Sequence, residues 1–297
     1  MLLDKPIPPG YIFRKIKGDF LTVLVLAMSV HGLTTNCQHL LPVMPLTIPG
    51  FIGTAISVLL SFKLSQSYER WWEARKIWGS IVNDSRSLVV QLKSLLVHPN
   101  HPKVRQIGYR QIAWCYSLAH SLRGLPPLEE LENLLAADEY RRLLDHKNKP
   151  LALLDMQATD LHELRAERQL EVLTHLQIDS TLVRLCESQG RAERIKSTVF
   201  PVTYRYFLHL MIYLFVITLS LSLKDVPFRF ELPLLLAISL SFFLLEKSAK
   251  YMQDPFENQP TDTAMTSISR TIETNVRQLL GETVIPEPVQ PSGFFLS

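Results

Sequence analysis

The chain has 297 residues, 47% of them hydrophobic and 20% charged, with a formal net charge of +3. That balance is too polar for a protein lying wholly in lipid, yet two regions are too apolar for an ordinary soluble one. Cys37, Cys115 and Cys186 stand apart with no CxxC and no neighbouring His/Cys cluster, which excludes a disulfide framework and leaves them as packing residues.

Residues 1–19 form a polar N-terminal segment ending in Arg14, Lys15, Lys17 and Asp19. From Phe20 to Phe62 there is no Asp, Glu, Lys or Arg. A bilayer crossing needs about 20 apolar residues, so this run is long enough for two helices. Gly32, Asn36, Pro42, Pro45, Pro49 and Gly50 mark the turn between them. The run is several times the length of a signal-peptide core and lacks a small-residue cleavage site. His31 and His39 fall near membrane depth without metal-ligand neighbours, and are read as polar groups satisfied locally or at the outer rim.

Residues 67–204 read as a helical domain outside the membrane. Helical spacing runs from Tyr68 to Leu96, stops at HPNHP, and resumes from Val104 through Leu122 to Gly124 and Pro126-Pro127. A short amphipathic stretch follows over Glu129–Leu144, then a long helical pattern from Pro150 to Cys186. His120, His162 and His175 are surface or packing residues of this domain. Neither a glycine-rich phosphate loop nor a metalloprotease or serine-hydrolase motif occurs, so the chain is not read as an enzyme.

Uncharged runs at Tyr206–Leu223 and Leu232–Leu245 form a second hairpin, with the short link Lys224–Glu231 carrying Lys224, Asp225, Arg229 and Glu231 on the outer side. The membrane hairpins are therefore bounded as residues 20–66 and 205–246, and residues 247–297 form a C-terminal segment. In that segment Asp254–Asp262 is a loop, Thr263–Leu280 a last helix, and the proline-rich tail from Pro286 is left to plug, latch or trail. Lys and Arg crowd the N-terminus, the region after Phe62, the approach to the third crossing and the end of the fourth. The loop Leu33–Pro49 has none, so both termini and the helical domain are placed in the cytoplasm of a multi-pass protein of the inner or plasma membrane.

Four crossings per chain cannot easily enclose a conduit, so a pore would form between subunits. The second crossing is the candidate lining: Thr54, Val58 and Phe62 repeat every four residues on one face. That face could equally pack on a neighbouring helix, and the adjacent Ser57, Ser61 and Ser65 stripe would allow a close contact. Tyr68, Arg70, Trp71, Trp72, Glu73 and Arg75 suit a membrane-interface anchor on a helix continuous with the second crossing.

LLSFKLSQSYERWWEARKIWGSI (Leu59–Ile81), ERIKSTVFPVTYRY (Glu193–Tyr206) and DPFENQPTD (Asp254–Asp262), followed by SISRTIETNVRQLLG, resemble the bestrophin family and specifically its bacterial members. The resemblance covers nearly the whole chain, weakening at the first ten and last dozen residues. It implies an all-α integral membrane protein assembled as a homopentamer around a central pore, passing monovalent ions, most often chloride and other small anions. Some bacterial members favour monovalent cations instead, and a membrane-anchored structural or signalling module is the alternative outside channel function. Counting back from RWW, the family's apolar neck falls on Thr54, Val58 and Phe62, with Thr54 more polar than the family pattern. A second constriction is implied on a helix within Leu170–Leu176 and is assigned to Val172. Animal members hold calcium near the post-membrane acidic loop. Here that loop is Asp254, Pro255, Phe256, Glu257 and onward to Asp262, without a dense acidic run, so no cofactor, calcium included, is expected. The expected partners are copies of itself, the lipid bilayer and permeant ions, and no nucleic acid.

Overall fold

The computed structural model describes residues 1–36, 43–198 and 201–296; Cys37 and His39 lie outside the described residues. The helices are α1 (Pro9–Asn36), α2 (Thr47–Leu95), α3 (Pro102–Arg123), α4 (Ala137–Leu144), α5 (Lys149–Ala166), α6 (Val172–Ser197), α7 (Val202–Ser222), α8 (Phe228–Gln253) and α9 (Met265–Leu279). They fall into two compact units, one comprising Lys5–Arg70 and Val199–Gln253, the other Met1–Asp4, Trp71–Thr198 and Asp254–Ser297.

The first unit holds α1, the N-terminal half of α2, α7 and α8. All four helices are long and apolar enough to cross a membrane. α1 begins at Pro9, well before the apolar run, so Arg14, Lys15, Lys17 and Asp19 are helical. Charge ends a hydrophobic run without ending a helix. The core joins Val23 and Ala27 of α1 to Ile52, Ile56 and Leu60 of α2, Leu208, Ile212, Phe215, Val216 and Leu219 of α7, and Leu235 and Phe243 of α8. Several hydroxyls donate to the carbonyl one turn back, among them Thr22 to Gly18 (3.0 Å) and Ser29 to Val25 (2.8 Å). This satisfies them without water, as a lipid environment demands.

The expected link Lys224–Glu231 is shorter in the structure, because α8 starts at Phe228 and contains Pro233. Glu231 is therefore not a loop residue. It is buried in the helix and accepts a hydrogen bond from the Ser220 hydroxyl at 2.7 Å. His31 Nδ1 lies 3.4 Å from the other Glu231 oxygen, and its ring sits 4.2 Å from that of Phe228.

The second unit packs the C-terminal half of α2 with α3, α4, α5, α6 and α9 around Trp78, Trp114, Leu88, Ile112 and Ile272. α3 ends at Gly124, whose φ of 71° closes the helix with amide bonds back to His120 and Ser121. Two expectations are corrected here. The Glu129–Leu144 stretch is helical only from Ala137, after turns that include Glu130 at φ 63°. The Pro150–Cys186 pattern is two helices, broken after Ala166 by Arg168 at φ 58°. At this break the amide of Gln169 bonds the Leu164 carbonyl (2.8 Å) and that of Arg168 the Arg165 carbonyl (3.0 Å). That is the usual left-handed helix stop, made with arginine where glycine is the common signal. Cys115 is buried as expected, but Cys186 is exposed and does not pack. The end of the proline-rich tail pairs with the start of the chain, the Leu3 amide donating to the Phe294 carbonyl at 2.9 Å.

Candidate functional site

In α2 the buried positions of the membrane half are Pro49, Ile52, Ile56, Leu60, Lys63 and Ser67, a stripe at helical spacing. Gly53 allows close approach to α7: a Cβ there would lie 3.1 Å from the Phe215 ring. Nearly two turns further on, the Tyr204 hydroxyl donates to the Leu59 carbonyl at 2.8 Å. With this side docked, the other side of the helix is left uncovered among the described residues of its unit.

Thr54, Val58 and Phe62 all lie on that uncovered side, Val58 50% and Phe62 64% exposed. Phe51 extends the same stripe toward the helix start. The Thr54 hydroxyl donates to the Gly50 carbonyl at 2.9 Å. Its proton is thus committed to the backbone, and outward it presents a methyl group and oxygen lone pairs. The exposed stripe of Thr54, Val58 and Phe62 therefore offers no side-chain donor outward.

The SYERWWEAR segment continues α2. Arg70 Nε donates to the Gln253 carbonyl at 2.9 Å, capping the end of α8. Trp71 Nε1 donates to the Thr261 carbonyl at 3.0 Å, and the Trp71 and Trp72 rings stack with centroids 6.3 Å apart. Tyr68 and Trp72 are about half exposed, Arg75 is half-buried, and Glu73 pairs with Lys76 at 2.6 Å. Tyr68 and Arg70 fall in the first unit, and the residues from Trp71 onward in the second.

The loop after α8 is closed on itself. Pro255 and Phe256 are buried, and the Thr263 amide donates to the Pro255 carbonyl at 3.2 Å. Glu257 pairs with Lys196 at 2.7 Å, and Asp262 accepts from the Gln259 amide at 3.1 Å. Burial pushes the Asp262 carboxyl up to about 6. Among the described residues no group of three or more His, Cys, Asp or Glu side chains is arranged to hold a metal ion. Asp254 is half-buried at the loop's start.

Val172 is the first residue of α6 and 54% exposed, with Leu173 and Leu176 also exposed, whereas Leu170 is buried ahead of the helix. Missed from sequence was a buried ion pair, Lys63 Nζ to Glu246 Oε1 at 2.6 Å, with His209 Nε2 3.6 Å from the other oxygen. Its one sequence signal is that Lys63 and Glu246 each terminate an uncharged run.

The model of the Bacterial/Fungal Bestrophin protein family matches residues 7–278. The chain is 30% identical over 281 residues to the voltage-dependent anion channel-forming protein RSc3414 of Ralstonia nicotianae, covering 92% of this chain and 89% of that one. It is 29% identical over 283 residues to the voltage-dependent anion channel-forming protein YneE of Escherichia coli K12, covering 95% and 92%. Among solved structures, a bacterial bestrophin homologue from Klebsiella pneumoniae aligns with a TM-score of 0.85 at 26% identity, covering 91% of this chain and all of that one. A family match spanning residues 7–278, borne on the same four apolar helices, places this membrane protein in the bacterial/fungal bestrophin family.

Proposed function

We propose that the chain is the subunit of a passive channel that conducts small anions, chloride foremost, through a pore formed by five copies around a common axis. The observation that carries this reading is the uncovered face of α2. Thr54, Val58 and Phe62 face away from their own unit while the opposite stripe is docked on α7 and α8. Two of the relatives are named as voltage-dependent anion channel-forming proteins, which favours anions over the monovalent-cation alternative.

In this reading, successive rings of Thr54, Val58 and Phe62 narrow the pore. Val58 and Phe62 form the apolar part, where wetting and dewetting govern passage. Such a neck does not itself choose the sign of an ion; fixed charges around it do. Val172 and its exposed neighbours at the start of α6 are proposed as a second constriction. Tyr68 through Arg75 anchor α2 at the interface. Arg14, Lys15 and Lys17 on one side of the first hairpin, against a basic-free Leu33–Pro49 loop, support cytoplasmic termini and residence in the cell membrane.

The test is the reversal potential of purified protein in planar bilayers under a KCl gradient, with Val58→Ala and Phe62→Ala beside the wild type. A reversal near the chloride equilibrium potential and higher conductance in both variants are expected. A reversal near that of potassium would refute the anion assignment. No current from well-folded protein would leave the membrane-anchored module as the better account.

A further inference from the structure

Two of the most deeply buried charges in the membrane unit stand directly behind the proposed pore wall. Lys63 follows Phe62 in α2, and an α-helix turns by about 100° per residue. The phenyl ring therefore faces outward while the Lys63 side chain, 1% exposed, turns into the unit. There its ammonium meets Glu246 of α8, 2% exposed, at 2.6 Å. His209 of α7 approaches the second carboxylate oxygen at 3.6 Å, its ring edge-on to Phe243 with centroids 5.7 Å apart.

Adhesion between α2 and α8 does not account for this arrangement. Well-packed apolar side chains join two helices at least as firmly as a buried ion pair, without the desolvation penalty of two charges. What the pair adds is a field. Consecutive Cα atoms are about 3.8 Å apart and a helix with its side chains is about 10–12 Å across. The ammonium thus lies within roughly 10 Å of the face that carries Phe62, in surroundings where salt screens poorly. The positive group is carried on the pore-wall helix itself and the negative group on the helix that covers its buried side. Ions passing Phe62 meet the positive end of the pair first.

We propose that Lys63 and Glu246 form a specificity-determining pair. Lys63 biases the neck toward anions, and Glu246 limits that bias by compensating most of its charge. The inference rests on the reading of Thr54, Val58 and Phe62 as the pore wall.

The test is the chloride-to-potassium permeability ratio in reconstituted bilayers for three full-length variants. Glu246→Gln leaves Lys63 uncompensated and raises the ratio by roughly three- to tenfold. Lys63→Met leaves Glu246 unpaired and lowers it by a similar factor. The exchange Lys63→Glu with Glu246→Lys keeps a helix-to-helix ion pair but reverses its direction, so the ratio falls below that of the wild type. A purely structural pair would make the exchange variant behave like the wild type. Should either single variant fail to assemble, the exchange variant decides alone. Wild-type ratios in every variant that conducts overturn the pair's role and leave the channel reading intact. Absence of current from the wild type removes the channel reading and this inference with it.

Discussion

Replacing Asp262 by Asn tests whether the loop after α8 holds a carboxyl against its preference for water. Asp262 is 2% exposed. Burial raises its pKa from 3.8 to about 6, against the opposing pull of the Gln259, Glu257 and Asn258 amides and the Arg123 guanidinium. A raised acid keeps its proton in the native state after the unfolded chain has lost it. Below pH 3.8 both states are protonated and there is no penalty. As pH rises toward 6 the unfolded state gains from ionising first, and stability falls by up to about 3 kcal/mol, a deficit that persists at neutral pH. Asn cannot ionise, and its carbonyl oxygen can still accept from the Gln259 amide. Asp262→Asn is therefore expected to raise Tm at pH 7.5 by several degrees. Its advantage should grow by about 2 kcal/mol between pH 4.5 and 7.5. Tryptophan-fluorescence melts of the detergent-solubilised protein across that range measure this. A lower Tm for the variant at pH 7.5, or an advantage that does not change with pH, would refute the reasoning.

Two further predictions concern the second unit. Arg110 is buried between Glu139 and Asp160, pairing with both. Burial opposes the charge of Glu139, but hydrogen bonds from Arg110 and Gln106 hold its carboxyl below the usual carboxylate range. Arg110→Met strands two buried carboxylates and should cost about 3–5 kcal/mol near neutral pH. The loss should shrink in acid, because a depressed acid contributes its stability above its unfolded pKa and forfeits it as pH falls; melts at pH 7.5 and 4.5 compare the two. In a Cys37→Ser background, maleimide should label the exposed Cys186 promptly. It should spare Cys115, whose buried thiol is pushed up to about 12, until the protein is unfolded. Intact-mass spectrometry before and after denaturation reads both sites.

The legible features were those in which one helix face differs chemically from the other. The α2 stripe of Thr54, Val58 and Phe62 stood out because a four-residue step keeps side chains on one side, and the docked residues Ile52, Ile56 and Leu60 obey the same period. The break between α5 and α6 was not legible. Periodicity survives across it and no glycine or proline announces it; Arg168 supplies the left-handed residue. α1 starts well before the apolar run because hydropathy marks where a helix can enter lipid, whereas backbone hydrogen bonding continues through Arg14, Lys15 and Lys17 to Pro9. The Lys63–Glu246 pair was out of reach for another reason. Its members are 183 residues apart, and nothing local to either one names the other.

The basic residues that flank the apolar runs make contacts of their own in the folded unit. Lys247 donates to the Lys15 carbonyl and pairs with Asp19, both at 2.5 Å, joining α8 to α1. Lys15 in turn lies over the Tyr251 ring, 4.4 Å from its centroid. Arg70 satisfies the terminal carbonyl of α8, and Lys63 reaches Glu246 on the same helix. Charge bias acts on topology when segments enter the bilayer, before helices have found one another. The completed unit then faces a different demand, since a cation at the edge of lipid must be hydrated, snorkel or find a partner. In this unit Lys15, Lys63, Arg70 and Lys247 each find a carboxylate, a carbonyl or an aromatic face on α8 or α1. Phe62, one residue before Lys63, has no such constraint and can remain on the uncovered face. The same stretch of α2 thereby presents an apolar surface outward and anchors itself to α8 from behind.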